Sequence, residues 1–324
     1  MIRRRSRSIL SLVALVAAGI VLSACHGDPL DPALGKLPAP LISQETTMVT
    51  AWDIPNNPLE DPTLGRSGLA DEIRWGFRIF MDTPGEAPHL SGGTMSCGNC
   101  HLNAGQRDRA LPLVGAAANF PEYNRRAGRD FIIEDRIVGC FLRSQNSTGI
   151  LESTPALGDA VLPTPETPEV RALAAYLQWL SRGYAPGENP VWRKQNEIPQ
   201  ANRLPLEELD AALGEALFLE NCANCHGEDG QGVQIGTKKA GPLWGPNSWN
   251  DGAGAARIYT LAGVIRHMMP YMEPGKLTDE EAQHVSAFIN SKERPVYPFK
   301  ELDYRTEPMP VDGVYYAGGP EDGE

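Results

Sequence analysis

The six cysteines of this 324-residue chain fall into two pairs and two singles. Cys97 and Cys100 stand in Cys97-Gly98-Asn99-Cys100-His101, and Cys222 and Cys225 in Cys222-Ala223-Asn224-Cys225-His226. In that spacing two thiols form thioethers to a porphyrin and the adjacent histidine sits under the iron. The motifs predict two covalently bound haem c groups, with His101 and His226 as proximal ligands. A four-cysteine zinc site is the competing chemistry, but zinc ribbons bring their paired C-x-x-C units much closer together and need no trailing histidine. Cys25 closes an export leader, which leaves Cys140 as the one thiol without an assignment.

The next question is what lies on the far side of each iron. For the second haem the candidates stand in His267-Met268-Met269-Pro270-Tyr271-Met272. A thioether opposite histidine raises the reduction potential and suits electron transfer. Met269 is preferred from its place between a glycine-rich loop and the closing helix, with Met268 and Met272 as fallbacks and His267 as a weaker option. Between His101 and the helix that closes the first half there is no methionine at all. That stretch holds Cys140, in Arg136-Ile137-Val138-Gly139-Cys140-Phe141-Leu142-Arg143-Ser144. On one helix Arg136 and Cys140 share a face. A thiolate beside guanidinium groups is a competent iron ligand and nucleophile, and the alternative is a buried structural thiol.

The elements that must position these groups repeat. Leu69, Ile73, Phe77 and Phe80 predict a helix before the first motif, and Leu206, Leu209, Leu213 and Leu217 one before the second. Closing helices are expected from Thr167-Pro168 through Leu180 and, behind a capping box at Thr278 to Glu281, through Asn290. The expected fold is mainly α, with two cytochrome c-like helical domains, each enclosing one covalently bound haem, joined by an extended linker. The boundaries are a lipoprotein-type signal peptide at 1–24, a tether and wrapping arm at 25–66, domain 1 with the active-site haem at 67–183, and a linker at 184–205. Domain 2 with the electron-transfer haem follows at 206–300, then an extended or disordered tail at 301–324.

Residues 1–24 carry Arg3, Arg4, Arg5 and Arg7 before an apolar run and end in Leu22-Ser23-Ala24-Cys25, a lipobox-like close. Cleavage there would lipidate Cys25 and hold the exported chain at a bacterial membrane on its periplasmic side; the alternatives are an ordinary signal peptide or a short anchor. Losing four arginines and no acids takes the formal charge from -12 to -16. Such a surface disfavours nucleic acid. Against it, residues 106–143 hold seven arginines and five acids, and arginine's planar donor fork suits oxyanions.

On these residues the chain resembles the dihaem thiosulfate dehydrogenases, the tetrathionate-forming cytochromes. The resemblance runs from about Gly68 to Pro295. It is carried by the 95–105 haem segment, Tyr123 to Gly128, Asp135 to Ser144, Ala174 to Ser181, the Trp-Gly loop of 241–254, Met269-Pro270, and 287–291. It implies a cysteine-ligated active-site haem in the first domain and a methionine-ligated relay haem in the second. The implied reaction couples two thiosulfates into tetrathionate, or the reverse, with another cytochrome as electron partner. By matching positions, Cys140 would be the distal ligand that captures a thiosulfate sulfur, Arg126 and Arg136 the clamp on the dianion, and Ser144 a hydrogen-bond donor. The sequence departs from the family in Gln145-Asn146-Ser147, where Met-Asn-Gly is expected, and in an insertion over 148–166. A membrane-tethered electron carrier without substrate chemistry is the alternative function. A dihaem peroxidase would need an acid-base residue above an open iron, and the sequence offers no clear candidate.

Overall fold

The computed structural model describes residues 54–148, 162–236 and 238–316. The leader, Cys25, most of the proposed arm and the middle of the 148–166 insertion lie outside the described residues.

Six helices of eleven residues or more carry the described fold: α1 (Gly68–Met81), α2 (Ile133–Arg143), α3 (Pro168–Leu180), α4 (Ala211–Asn221), α5 (Ile258–Met268) and α6 (Asp279–Asn290). The strands are two short antiparallel ribbons, β1 (Glu122–Asn124) with β2 (Arg129–Phe131), and β3 (Gln234–Ile235) with β4 (Lys238–Lys239). The helices form two groups. In the first, α1 and α2 pack on α3; in the second, α6 packs on α4 and α5.

Each group is built on the same device. Helix α1 starts on Ser67, whose hydroxyl accepts from the Ala70 amide, and buries Ala70, Ile73, Phe77 and Phe80 along one stripe. Leu69, expected inside, is 59 % exposed because Ala70 takes the inward place in that turn. Where α1 crosses α3, Gly76 lies so close to the Ala172 carbonyl that a Cβ would stand 2.0 Å from its oxygen. In the second group Gly214 meets the His284 carbonyl of α6 in the same way, again at 2.0 Å. That contact corrects the leucine register expected for α4. The helix begins at Asp210, which caps Ala212 and Leu213, so Leu206 and Leu209 precede it. Leu213 is 44 % exposed, while Gly214 and Phe218 face the core. The closing helices have the expected bounds, and Thr278 forms its capping box with Glu281.

The two groups are stitched together three times. The 184–205 segment runs across both: Trp192 donates to the Val114 carbonyl, Asn196 donates to the Arg109 carbonyl, and the Asn196 carbonyl fills the notch left by Gly263 on α5. The loop before α5 gives Asn250, 0 % exposed, to the C-terminus of α2. Its backbone donates to the Arg143 carbonyl and its amide to the Leu142 carbonyl, at 3.1 and 2.8 Å. These are carbonyls that a helix end leaves without internal partners. Finally residues 302–316 are engaged with both groups. Asp312 is buried against Arg257 and accepts from the Tyr259 amide at the start of α5. Upstream, the Tyr304 amide donates to the Arg126 carbonyl on the β1–β2 hairpin. A tail with a separate fate would have no such contacts.

Candidate functional site

Both C-x-x-C-H segments open on one continuous cavity of about 1430 Å³. Its lining includes Cys100, His101, Cys140, Ser144, Cys222, Cys225 and His226. A single small-molecule pocket is roughly 300–1,000 Å³, so this space exceeds one such ligand.

The two motif histidines are held alike. The Nδ1 of His101 meets the Leu111 carbonyl at 2.6 Å, and that of His226 meets the Gly241 carbonyl at 3.1 Å. A carbonyl can only accept, so Nδ1 carries the proton in each ring and Nε2 is left with its lone pair. This is how a ligating histidine is oriented by the groups behind it. Burial pulls the pKa of His101 down to about 4, with Arg136 adding to the lowering, and burial likewise lowers His226. Both rings are neutral donors at neutral pH.

Cys140 comes from α2, and the helix determines its surroundings. Ile133, Ile137 and Phe141 bury one stripe in the core, which turns Arg136, Cys140 and Arg143 toward the cavity. At its start, Asp135 accepts from the Ile132 amide and holds Arg129 through two bonds of 2.8 and 3.1 Å. Arg129 is thereby spent on structure. Cys140 lies near enough to the first motif to raise both of its thiols; burial, the larger cause, pushes Cys97 up to about 12 and Cys100 to about 11. Ser144 caps α2 and lines the same cavity.

The arginines around it differ. Arg136 is exposed and has no carboxylate partner among the described residues. Arg126, at the tip of the β1–β2 hairpin, donates to the Gly252 carbonyl and lies 3.8 Å from Asp303. Arg143 pairs with the other Asp303 oxygen at 2.8 Å and stacks on Tyr297 at 4.3 Å. The Asp303 side chain is only 4 % exposed, and Tyr316 donates to it at 2.6 Å. Sequence reading placed Arg126, Arg136, Cys140 and Ser144 together, and all four line the cavity. Arg143, which adjoins Cys140 in the sequence but was not among the expected site residues, lines the cavity with them. Sequence reading missed Asp303, Gly252 and Asn250, whose partners lie more than a hundred positions away.

Of the three candidate methionines, Met268 and Met269 line the cavity, as do Met81 and Met95 from the first half of the chain. Met268 is 3 % exposed and packs on Leu102 and Ala110 of the first group, Met269 is half-buried at the end of α5, and Met272 is 66 % exposed. The residues present fit two haems. Besides the paired thiols and oriented histidines, the Trp249 Nε1 and Arg143 Nε atoms are buried at the cavity wall without a hydrogen-bond partner among the described residues. Such donors suit the carboxylates of a haem edge.

The comparisons agree with this geometry. Residues 90–185 match the model of the SoxA/TsdA cytochrome c domain, and residues 211–293 match that of cytochrome c. The chain is 36 % identical over 242 residues to a thiosulfate dehydrogenase of Stutzerimonas stutzeri, covering 74 % of this chain and 73 % of that one. It is 37 % identical over 236 residues to one of Allochromatium vinosum, covering 71 % and 80 %. A solved structure of the Marichromatium purpuratum thiosulfate dehydrogenase TsdBA, in its as-isolated form, superposes with a TM-score of 0.63 at 33 % identity. That match covers 72 % of this chain, which spans about half (48 %) of the solved one.

Proposed function

Since the chain belongs to the thiosulfate dehydrogenase family of dihaem c-type cytochromes, we propose that it couples two thiosulfates into tetrathionate, or runs the reverse reaction. The observation that carries this reading is Cys140 on α2, with Arg136 one turn before it and Arg143 one turn after, in the cavity that also holds His101.

In this reading Cys97, Cys100 and His101 would hold the active-site haem and Cys222, Cys225 and His226 the relay haem, and Cys140 and Met269 would be the further protein ligands to their irons. Met269 is favoured because it follows α5 as its C-cap, half-buried at the cavity, whereas Met268 is the last residue inside the helix and is 3 % exposed. The haems, when bound, accept the two electrons of the oxidation and relay them to an external cytochrome.

The residues of the chain supply the sulfur chemistry. The Cys140 thiolate and the terminal sulfur of one thiosulfate form an S–S bond with loss of two electrons, leaving a cysteine S-thiosulfonate that bears one negative charge. A second thiosulfate attacks the sulfur next to Cys140, that bond breaks, tetrathionate departs and the thiolate returns. Unscreened, two dianions about 4 Å apart repel by roughly 16 kcal/mol at an intermediate dielectric. Arg136 and the Arg126–Arg143 pair offset that repulsion, with Ser144 as a hydrogen-bond donor, and capture at Cys140 divides one difficult encounter into two. We place the protein on the periplasmic side of a bacterial membrane, anchored through lipidated Cys25. Among the described residues no helix is long and apolar enough to cross a membrane.

The test is the visible spectrum of the oxidised protein before and after thiosulfate, with dithionite giving total reducible haem. Growth of the reduced haem bands on thiosulfate is the expected result. Full reduction by dithionite with no response to thiosulfate or, in the reduced protein, to tetrathionate would leave a plain electron carrier.

A further inference from the structure

The arginines that the thiosulfate reading assigns to the substrate already hold a carboxylate, and it comes from the opposite end of the chain. Asp303 follows the whole second helix group, yet its two oxygens meet Arg143 at 2.8 Å and Arg126 at 3.8 Å, and both of these arginines line the Cys140 cavity. Its position is closely fixed. The Tyr316 hydroxyl donates to it at 2.6 Å, and the next residue, Tyr304, bonds through its amide to the Arg126 carbonyl at 2.7 Å and lies under the Arg126 guanidinium at 5.5 Å. Downstream, Thr306 packs against Gly128 at the hairpin tip and Tyr123 donates to Glu307.

A buried carboxylate placed between two substrate-binding guanidiniums has two effects. It fixes them side by side, and it subtracts one charge. Arg126, Arg136 and Arg143 against Asp303 leave two positive charges, matching a single dianion. Without the carboxylate these three arginines would carry three, and a bound dianion would be held more tightly than turnover needs. Uniform tightening of substrate and product lowers KM without raising kcat.

We propose that Asp303 is a positioning and charge-setting residue of the substrate site: an internal counter-anion on Arg126 and Arg143 that weakens dianion binding so that product can leave. This inference rests on the thiosulfate reading of the cavity and extends it to a residue outside the haem-bearing helix groups.

The test uses the haem-loaded full chain and sulfate, an unreactive dianion, as binding probe. Asp303→Asn and the smaller Asp303→Ser both remove the charge. By Coulomb's law across several ångströms of partly solvated space, each is expected to tighten sulfate binding in calorimetry, and to lower the thiosulfate KM, by about threefold to tenfold. The kcat should fall with it. Asp303→Glu, which keeps the charge, should bring both constants back toward wild type relative to the neutral variants. Sulfate affinity that is unchanged or weaker in both neutral variants overturns the proposal. So does failure of both to fold, which would make Asp303 a structural residue only. Thiosulfate reduction of the wild-type haems is scored separately: its absence counts against the functional reading, while the sulfate comparison still decides the role of Asp303.

Discussion

At the residue scale the site is a thiol among guanidiniums, and its parts were unequally visible in the sequence. The haem motifs and Cys140 are legible because their chemistry is local: the thiols and histidine of each motif are contiguous, and Arg136, Cys140 and Arg143 are one helical turn apart. Asp303 was not legible, because a carboxylate 160 positions from Arg143 has no sequence mark to distinguish it from the other acids of its segment. The structure also separates arginines that composition lumps together. Arg129 is tied to Asp135, which it holds below the usual carboxylate range, whereas Arg136 remains available. The central prediction here is Cys140→Ala. If Cys140 captures thiosulfate, this variant loses turnover by at least about a hundredfold, a modest figure for losing a nucleophile, while dithionite still reduces both haems. Thiosulfate turnover at the wild-type rate would falsify the covalent route.

At the scale of elements, the two helix groups repeat a close crossing rather than a sequence. Gly76 on Ala172 and Gly214 on His284 each bring the helix before a haem motif against the backbone of the closing helix. Signals read locally gave the closing helices their bounds: Pro168 opens α3, although Thr167 makes no capping bond there, and Thr278 and Glu281 satisfy each other within one turn of α6. The buried face of α4 was misread for the opposite reason. Leucine spacing counts side chains, but here the contact is made where a side chain is missing, and the leucine beside it is left exposed. Gly214→Ala should therefore overpack the α4–α6 crossing and cost about 1–3 kcal/mol, read as a lower urea midpoint of the haem-loaded protein. Gly68→Ala, at a position with open space around its Cβ, is the control and should stay within about 0.5 kcal/mol of wild type. Equal midpoints for the two variants would remove the crossing glycine from the account of the fold.

At the scale of the molecule, the plan of two haem domains on a linker understates how far the second group holds the surroundings of Cys140 in the first. Asn250 ties off the end of α2, Gly252 and Asp303 hold Arg126, and Asp303 and Tyr297 hold Arg143. All come from residues beyond the second haem motif. None of this follows from periodicity, because each contact is a polar bond between segments with no shared pattern. It makes an unusual demand on mutants. Asn250 is remote in sequence from Cys140 and sits in the half that carries the second C-x-x-C-H motif, so in two independent domains its loss would disturb only the haem of that half. In this structure Asn250→Ala leaves the Leu142 carbonyl without its partner and loosens the helix end that follows Cys140. The expected cost is about 1–3 kcal/mol of stability, with the spectroscopic change falling on the first haem. Electron paramagnetic resonance of the oxidised variant distinguishes the two cases. A broadened or shifted signal from the haem of the first motif, beside an unchanged signal from that of the second, is the outcome required if α2 is held from across the interface. The reverse pattern would mean that the halves work as separate cytochromes.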